Sequence, residues 1–141
     1  MKSKKIRKMN TRNQIISQLR EPIIGEISEF TSNEEKFQNQ TLRPILKMQN
    51  ELIISIFINY CINQKGTYFK LPVNKKLEYI EQNIQRDMKF RDFLKGIIIA
   101  LFTLEEYENY SKNASNLNRR IITMLIERLK SQIQIIELPV L

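Results

Sequence analysis

The fold of this chain is decided by one stretch, SNEEKFQNQTLRPILKMQNELIISIFINYCINQKG, which occupies residues 32–66. Within it, residues suited to a buried face recur at intervals of three and four, the spacing that places side chains on one side of an α-helix. These residues are Phe37, Thr41, Ile45, Met48, Leu52 and Ile56. After Leu52 the apolar residues occupy nearly the whole circumference, which predicts that the later half of this helix is a central, buried element.

Local signals predict where this helix begins, bends and ends. Ser32 followed by Glu35 is a capping box at its start, since each side chain can satisfy a free backbone N–H of the first turn. Pro44 lacks an N–H and clashes with the preceding turn, so we expect a kink near residues 40–44 or a break into two helices. Gly66 is a candidate left-handed cap at the end.

The rest of the chain also favours helices over strands. Only 3 Gly and 4 Pro interrupt 141 residues, too few for a turn-rich sheet protein. Further helices are predicted to begin near Pro72, Asp87, Leu104 and Asn116, and the last of them runs to about Ile136. Thr103 with Glu106 forms a second capping box, which predicts a sharp corner before residue 104. The predicted fold is all-α, a compact bundle of about five helices.

Several single residues receive predictions from the same pattern. Phe93 falls on the core face of the third helix, and Gly96 costs that helix about 1 kcal/mol relative to Ala, which suggests close backbone packing. Residues 67–71 read as a short extended connector, and Tyr68 and Phe69 are the aromatic residues most expected at a surface groove. Cys61 lies in an apolar run and is predicted to be a small buried hydrophobe rather than a reactive thiol.

Charge divides the chain into an arm and a body. The first twenty residues carry seven basic side chains and no acidic one, whereas the remainder carries 16 basic and 15 acidic residues. We therefore expect a basic, flexible and partly disordered N-terminal arm (1–31), a helical domain (32–136) and a short tail (137–141). A charge asymmetry of this kind usually concerns partners rather than the fold.

The arm is compatible with nucleic acid, because several of its cations could neutralise phosphates. The last helix adds a basic side. The candidate contacts are Lys2, Lys4, Lys5, Arg7, Lys8, Arg12, Arg119 and Arg120. A solvated tail that only aids solubility is an equal alternative, and an anionic membrane surface is disfavoured, since the arm lacks interleaved bulky apolar residues.

The last helix also carries a heptad-like apolar stripe, which suits packing within one chain at least as well as a homodimer. The candidate dimer face consists of Ile122, Leu125, Ile126, Leu129 and Ile133. An unknown protein partner is the other reading of such a surface.

The sequence offers no catalytic, cofactor-binding or metal-ligating residue. The chain has no His and one Cys, which removes His-assisted catalysis, His-ligated metals and clusters held by several cysteines. No Gly-rich loop precedes a helix. Glu105 and Glu108, three residues apart on one helix face, could hold a hard cation, but acidic residues in a first turn are better explained by the helix dipole, and Glu106 beside them has its role in the capping box.

The predicted cellular location is the cytoplasm. No apolar segment follows the initial cations, so secretion is disfavoured. The longest apolar stretches are shorter than the ~20 residues that a membrane span needs.

Three segments carry a family resemblance: EEKFQNQTLRPILKMQN (Glu34–Asn50), YIEQNIQRDMKFRDFLKG (Tyr79–Gly96) and FTLEEYENY (Phe102–Tyr110). They resemble a family of short bacterial helical proteins that are often labelled "glyoxalase". The label implies a metal-dependent lactoylglutathione lyase, whose type-I enzymes are βαβββ proteins with His, Glu or Gln ligands. This chain has no His, so no catalytic residue carries over, and the resemblance implies a small helical domain.

Three functions follow as hypotheses. The first is a non-enzymatic binding or interaction module of the cytoplasm. The second is a nucleic-acid-associated protein that acts through the basic arm. The third, an enzyme of the glyoxalase type, is disfavoured by the absence of His.

Overall fold

The computed structural model describes residues 2–20 and 32–139, with the backbone alone for residues 2–10. The described residues form helices, turns and connections, and no strand occurs among them. The helices are α1 (Lys2–Leu19), α2 (Asn33–Met48), α3 (Asn50–Asn63), α4 (Val73–Arg86), α5 (Met88–Ile99), α6 (Leu104–Ser111) and α7 (Ala114–Lys130). The all-α prediction is therefore confirmed.

The deciding stretch forms α2 and α3, and its irregularities fall where Pro44 and the packing require them. The turn Gln38–Leu42 is π-helical, with the Arg43 N–H donating to the Gln38 carbonyl five residues back. Pro44 has no N–H for a normal turn, so a widened turn before it lets the helix continue. The expected deformation is present, but the chain changes direction at Gln49, where α2 and α3 meet at 62°.

This bend rotates the buried face. Phe37, Thr41 and Ile45 are buried as predicted, whereas Met48 and Leu52 are 38% and 49% exposed. Ile53 and Phe57 take over the core positions, each at 1% exposure or less. The expectation for Met48 and Leu52 was wrong because it assumed one straight helix.

Helix ends follow the sequence signals closely. Ser32 accepts from the Glu35 N–H at 3.1 Å, which is one of the two bonds of the predicted capping box, and the Glu35 side chain does not return the other. Gly66 has φ +69° as the predicted left-handed cap allows. Thr67–Lys70 is a 3₁₀ turn rather than an extended connector. Tyr68 is fully buried beneath that turn, so its expected place at a surface groove was wrong.

The core lies between α2, α3, α4, α5 and α7, with α4 packed against both α5 and α7. Its fully buried members include Leu42, Phe57, Ile80, Leu94 and Ile121. Phe93 is 56% exposed and is not part of the core. A Cβ on Gly96 would meet nothing within 4 Å, so close packing does not explain this glycine.

The ends of the chain depart from the expected bounds. The arm is helical over Lys2–Leu19, and Ile16 is buried although it does not belong to the main core cluster. Residues 21–31, including the apolar Ile23, Ile24 and Ile27 of the predicted arm, lie outside the described residues. Helix α7 ends at Lys130, and turns over residues 131–135 bring Ile136 back into the core.

No single helix among the described residues combines the length and hydropathy needed to cross a membrane, and only the bent pair α2–α3 meets both criteria together.

Candidate binding groove and the helix that walls it

The corner between α5 and α6 is built by the capping box that the sequence predicts. The Thr103 hydroxyl accepts from the Glu106 N–H at 3.2 Å, and the Thr103 N–H donates to Glu106 Oε1 at 2.8 Å. Two backbone N–H groups of the first turn are thereby satisfied. The box also fixes the Glu106 carboxylate at the start of α6, where it faces residues far away in the sequence.

Glu106 is the centre of a polar network. Arg20, which directly follows α1, donates two hydrogen bonds of 2.6 Å, one to each carboxylate oxygen. The Thr41 hydroxyl of α2 donates a third, also 2.6 Å, to Oε2. The Arg20 and Glu106 side chains are only 10% and 19% exposed, so this forked ion pair is shielded from water and salt.

The protonation state of Glu106 follows from these contacts. Burial of the carboxylate opposes its ionisation and acts to raise its pKa. Hydrogen bonds from Arg20, Thr41 and the Thr103 N–H favour the charged form, and they prevail, so the pKa of Glu106 lies below its ordinary value. Glu106 is therefore an ionised partner for Arg20 at neutral pH.

Arg12 and Asn13 attach α1 to the same corner. Arg12 donates to the carbonyls of Phe102 at 2.8 Å and Ala100 at 3.1 Å. Arg20 also donates to the Leu101 carbonyl, and the Leu104 N–H donates to Asn13 Oδ1 at 3.1 Å. The carbonyls at the end of a helix lack partners and carry partial negative charge, so these two arginines cap α5 from another helix.

Apolar packing contributes less to this attachment. Among residues 11–20 only Ile16 is buried, whereas Ile15 and Leu19 are 53% and 54% exposed. Burying one Ile side chain is worth about 2 kcal/mol. Over residues 11–20, the attachment of α1 therefore depends on polar contacts and a single buried apolar side chain.

A groove of about 1040 Å³ lies between α1, α2 and α6. Its lining combines polar residues from all three helices with the apolar side chains of Phe37, Pro44 and Leu117. Asn13, Ser17 and Arg20 form the α1 wall. The groove therefore exists in this form only while α1 is docked.

Three carboxamide side chains in the groove are not hydrogen-bonded to any residue that the structure describes. Asn33, Gln40 and Asn109 line it and make no side-chain hydrogen bond within the described ranges. A carboxamide both donates and accepts. Free carboxamides beside an apolar surface are the type of lining that recognises amide-bearing ligands.

A second ion pair borders the groove on the α2 side. Glu34 accepts from Asn113 Nδ2 at 3.0 Å and from Arg120 Nη2 at 3.3 Å. Its pKa is lowered, first by the Asn113 hydrogen bond and, against the effect of burial, also by Arg120. Arg120 donates to Gln38 Oε1 as well.

The predicted nucleic-acid contacts differ in how far their side chains already bind other groups of the protein. Arg12 and Arg120 bond to groups of the protein itself, whereas Arg119 is exposed and donates only to Asn116 at 2.8 Å. The other five lie along the backbone of α1, and their side chains are outside the described set: Lys2, Lys4, Lys5, Arg7 and Lys8. A role in binding nucleic acid stays a prediction for all eight.

The predicted dimer face is largely occupied by the core of the monomer. Leu125 and Leu129 are fully buried and Ile126 is 5% exposed. Ile122 and Ile133 are half-buried and pack against that core. A homodimer remains a prediction, with only these last two positions partly available on the proposed stripe.

Buried polar groups also occur away from the groove, around the stacked rings of Tyr60 and Phe90, whose centroids are 3.8 Å apart. The Tyr60 hydroxyl donates to Asp87 Oδ2 at 2.9 Å. Burial raises the pKa of Tyr60, and it raises the pKa of the Cys61 thiol to about 12. The predicted buried, unreactive cysteine is confirmed in its burial, since Cys61 is fully inaccessible.

Sequence reasoning found Thr103 and Glu106 but missed their long-range partners. Arg20 and Thr41 lie 86 and 65 residues from Glu106. Basic residues in a polar N-terminal segment give no sign of which carbonyl or carboxylate they contact. The one available signal was Glu106 itself, which retains free acceptor capacity after it completes a capping box.

No group of three or more Cys, Asp and Glu residues arranged to hold a metal ion occurs in the described part of the chain. Comparison with models of protein families, with curated proteins and with solved structures finds no match to this chain. These comparisons do not bear on the glyoxalase-labelled family.

Proposed function

We propose that this protein is a non-enzymatic binding module of the cytoplasm, and that its ligand site is the groove between α1, α2 and α6. The observation that carries the proposal is a groove of about 1040 Å³ whose lining includes three carboxamides without a side-chain hydrogen bond among the described residues. This volume is at the upper end of the range for small-molecule pockets, about 300–1000 Å³. The ligand class that fits is an amide-bearing one, such as a peptide segment of a partner.

The charges of the groove support binding rather than catalysis. Glu34 and Glu106 are both held ionised by hydrogen-bond donors, and their pKa values are lowered. A general acid needs a pKa raised towards neutrality. The chain contains no His that could exchange protons in their place.

Native mass spectrometry of the untagged protein tests this proposal. We expect a non-covalent adduct on the wild type that is lost when Gln40→Trp fills the groove. The control is Gln82→Trp, an exposed position on α4 outside the groove, which should keep the adduct. An adduct of equal abundance on all three proteins would contradict the assignment to this groove.

Association with a polyanion such as nucleic acid is a second candidate, favoured by the charge of α1. Six of the seven basic residues among the first twenty positions of the chain lie on α1, the seventh, Arg20, follows it directly, and no acidic residue is among them. Because Arg12 and Arg20 attach α1 to the body, deletion of the whole helix would remove these contacts together with the charge. Replacing Lys2, Lys4, Lys5, Arg7 and Lys8 by Gln removes charge without touching those contacts.

Fluorescence anisotropy with a labelled 20-nucleotide oligo-dT at low salt measures this binding. We expect affinity for the wild type to fall steeply with salt and the five-Gln variant to bind at least tenfold more weakly. Equal affinities for the two proteins would contradict a role for α1.

A further inference from the structure

We infer that α1 is a polyanion-binding strap that the body holds in a docked position through Glu106, so that docking and polyanion binding compete. The inference rests on the second candidate function above. It adds a regulatory relation between the corner of α5 and α6 and the basic helix.

In the docked position, the guanidinium groups of Arg12 and Arg20 donate to three backbone carbonyls and one carboxylate. Phosphate oxygens are acceptors of the same kind, and a guanidinium fork binds them in the same two-pronged geometry. An arginine docked on the corner is therefore not available to a phosphate.

Residues 11–20 attach to the body with little apolar burial. One buried side chain, Ile16, anchors residues 11–20, and the remaining described contacts of this segment with the body are mainly polar. Polar contacts exchange readily for contacts with water or with a ligand. The described contacts of residues 11–20 can therefore break while the core, to which none of these residues belongs, stays intact.

Release of α1 increases the number of cations that are available to a polyanion. With α1 docked, at most the five cations Lys2, Lys4, Lys5, Arg7 and Lys8 are left for a polyanion, whereas release adds Arg12 and the adjoining Arg20 and makes seven. For a single strand, the slope of log affinity against log salt steepens from about −3.5 with five phosphate contacts to about −4.9 with seven. By reciprocity, a polyanion shifts α1 towards release and removes the α1 wall of the groove.

A matched pair of charge variants tests the inference with oligo-dT as the probe. Glu106→Gln keeps the capping box, since Gln serves in it as well as Glu, but it removes the charge that holds Arg20. Glu105→Gln removes the same charge one residue away, at an exposed side chain without an ion pair among the described residues. We expect Glu106→Gln to bind at least fivefold more tightly than Glu105→Gln and to show the steeper salt slope.

A second pair leaves every charge unchanged. Ile16→Ala removes the buried anchor, and Ile15→Ala removes the same atoms from an exposed neighbour. Only Ile16→Ala should tighten binding of the oligonucleotide. Since these residues lie outside the main core, the variants stay folded, which circular dichroism verifies.

The outcomes separate the two claims. If the wild type binds oligo-dT but the members of each pair bind equally, the strap is overturned and the polyanion function stands. If the wild type does not bind and neither Glu106→Gln nor Ile16→Ala does, both the function and the strap are overturned.

Discussion

Gly96 and Gly66 differ in backbone conformation, and replacing each by Ala should change the free energy of unfolding in opposite directions. Gly96 lies inside α5, where a Cβ would meet nothing within 4 Å. Gly66 has φ +69°, a backbone conformation that L side chains adopt only with strain. The same mutation to Ala therefore tests helix propensity at one site and backbone strain at the other.

We expect Gly96→Ala to raise the free energy of unfolding by about 1 kcal/mol, because Ala loses less conformational entropy in a helix. Gly66→Ala should lower it by about 1 kcal/mol. Urea unfolding followed by circular dichroism measures both. A destabilising Gly96→Ala would mean that α5 packs more closely there than the structure shows.

Cys61 is a second residue whose surroundings determine its chemistry. Burial raises the pKa of its thiol to about 12, so at pH 8 the reactive thiolate is on the order of 10⁻⁴ of the population. We expect no reaction with a thiol-specific chromogenic disulfide in the native protein and one equivalent in guanidinium. Ser115→Cys, at an exposed position, is the control that should react natively.

Rapid labelling of native Cys61 would show that α3 opens locally at neutral pH. The stacked and edge-on rings around Phe57 argue against such opening, since Tyr68 packs on it with centroids 5.4 Å apart. Aromatic pairs in this geometry add stability beyond their buried area.

At the scale of elements, the ion pair between Arg20 and Glu106 determines how α1 responds to pH. The pKa of Glu106 is lower in the folded protein than its ordinary value of 4.5. Its contribution to stability is therefore complete above pH 4.5 and is lost as the pH falls through the lower, folded value. Acid should loosen α1 before it affects the apolar core.

We expect Glu106→Gln to cost about 2 kcal/mol at pH 7, the usual range for hydrogen bonds to a charged group. This difference from the wild type should shrink as the pH drops below 4.5. Urea unfolding at pH 7, 5, 4 and 3 measures the trend. Glu105→Gln provides the reference, and a Glu106→Gln deficit that persists unchanged at pH 3 would contradict the assignment.

The helices also show why local sequence signals predict where a helix begins or ends better than which of its faces is buried. Ser32, Gly66 and Thr103 act through neighbours within a few residues, and each terminates or starts a helix as expected. The buried face of α2–α3 was predicted less well, because the bend at Gln49 rotates α3 relative to α2. A local pattern cannot report the angle between two helices.

At the scale of the whole molecule, the charge asymmetry is partly internal. Arg12 and Arg20 belong to the basic N-terminal segment, yet both bind groups of the body. Counting charge along the sequence treats every cation as available to a partner. Contacts with the body occupy the guanidinium groups of these two arginines, so the charge available to a partner is smaller than the count along the sequence.

Self-association is the remaining prediction at this scale. A homodimer through α7 should give a mass near twice 16.9 kDa by light scattering at micromolar concentration. Ile122→Lys should return it to the monomer, because Ile122 is half-buried, whereas the exposed Thr123→Lys should not. A clean monomer for the wild type would end the dimer hypothesis.

The sequence by itself determined the helical class, the main capping residues and the burial of Cys61. These depend on side chains three or four positions apart, on caps within one turn and on an unbroken apolar run. Neither the groove nor the ion pair at Glu106 could be read from it, because their members come from α1, α2 and α6.

Only the tertiary structure decided that the basic segment docks on the body. Arg12 and Arg20 find acceptors more than eighty residues away, at a corner whose carbonyls have no partner within their own helix. Such contacts are selected by the packing of whole helices, which sums many weak interactions across the chain. A local pattern of residues determines where helices form, and the packing of the helices against one another determines which distant side chains meet.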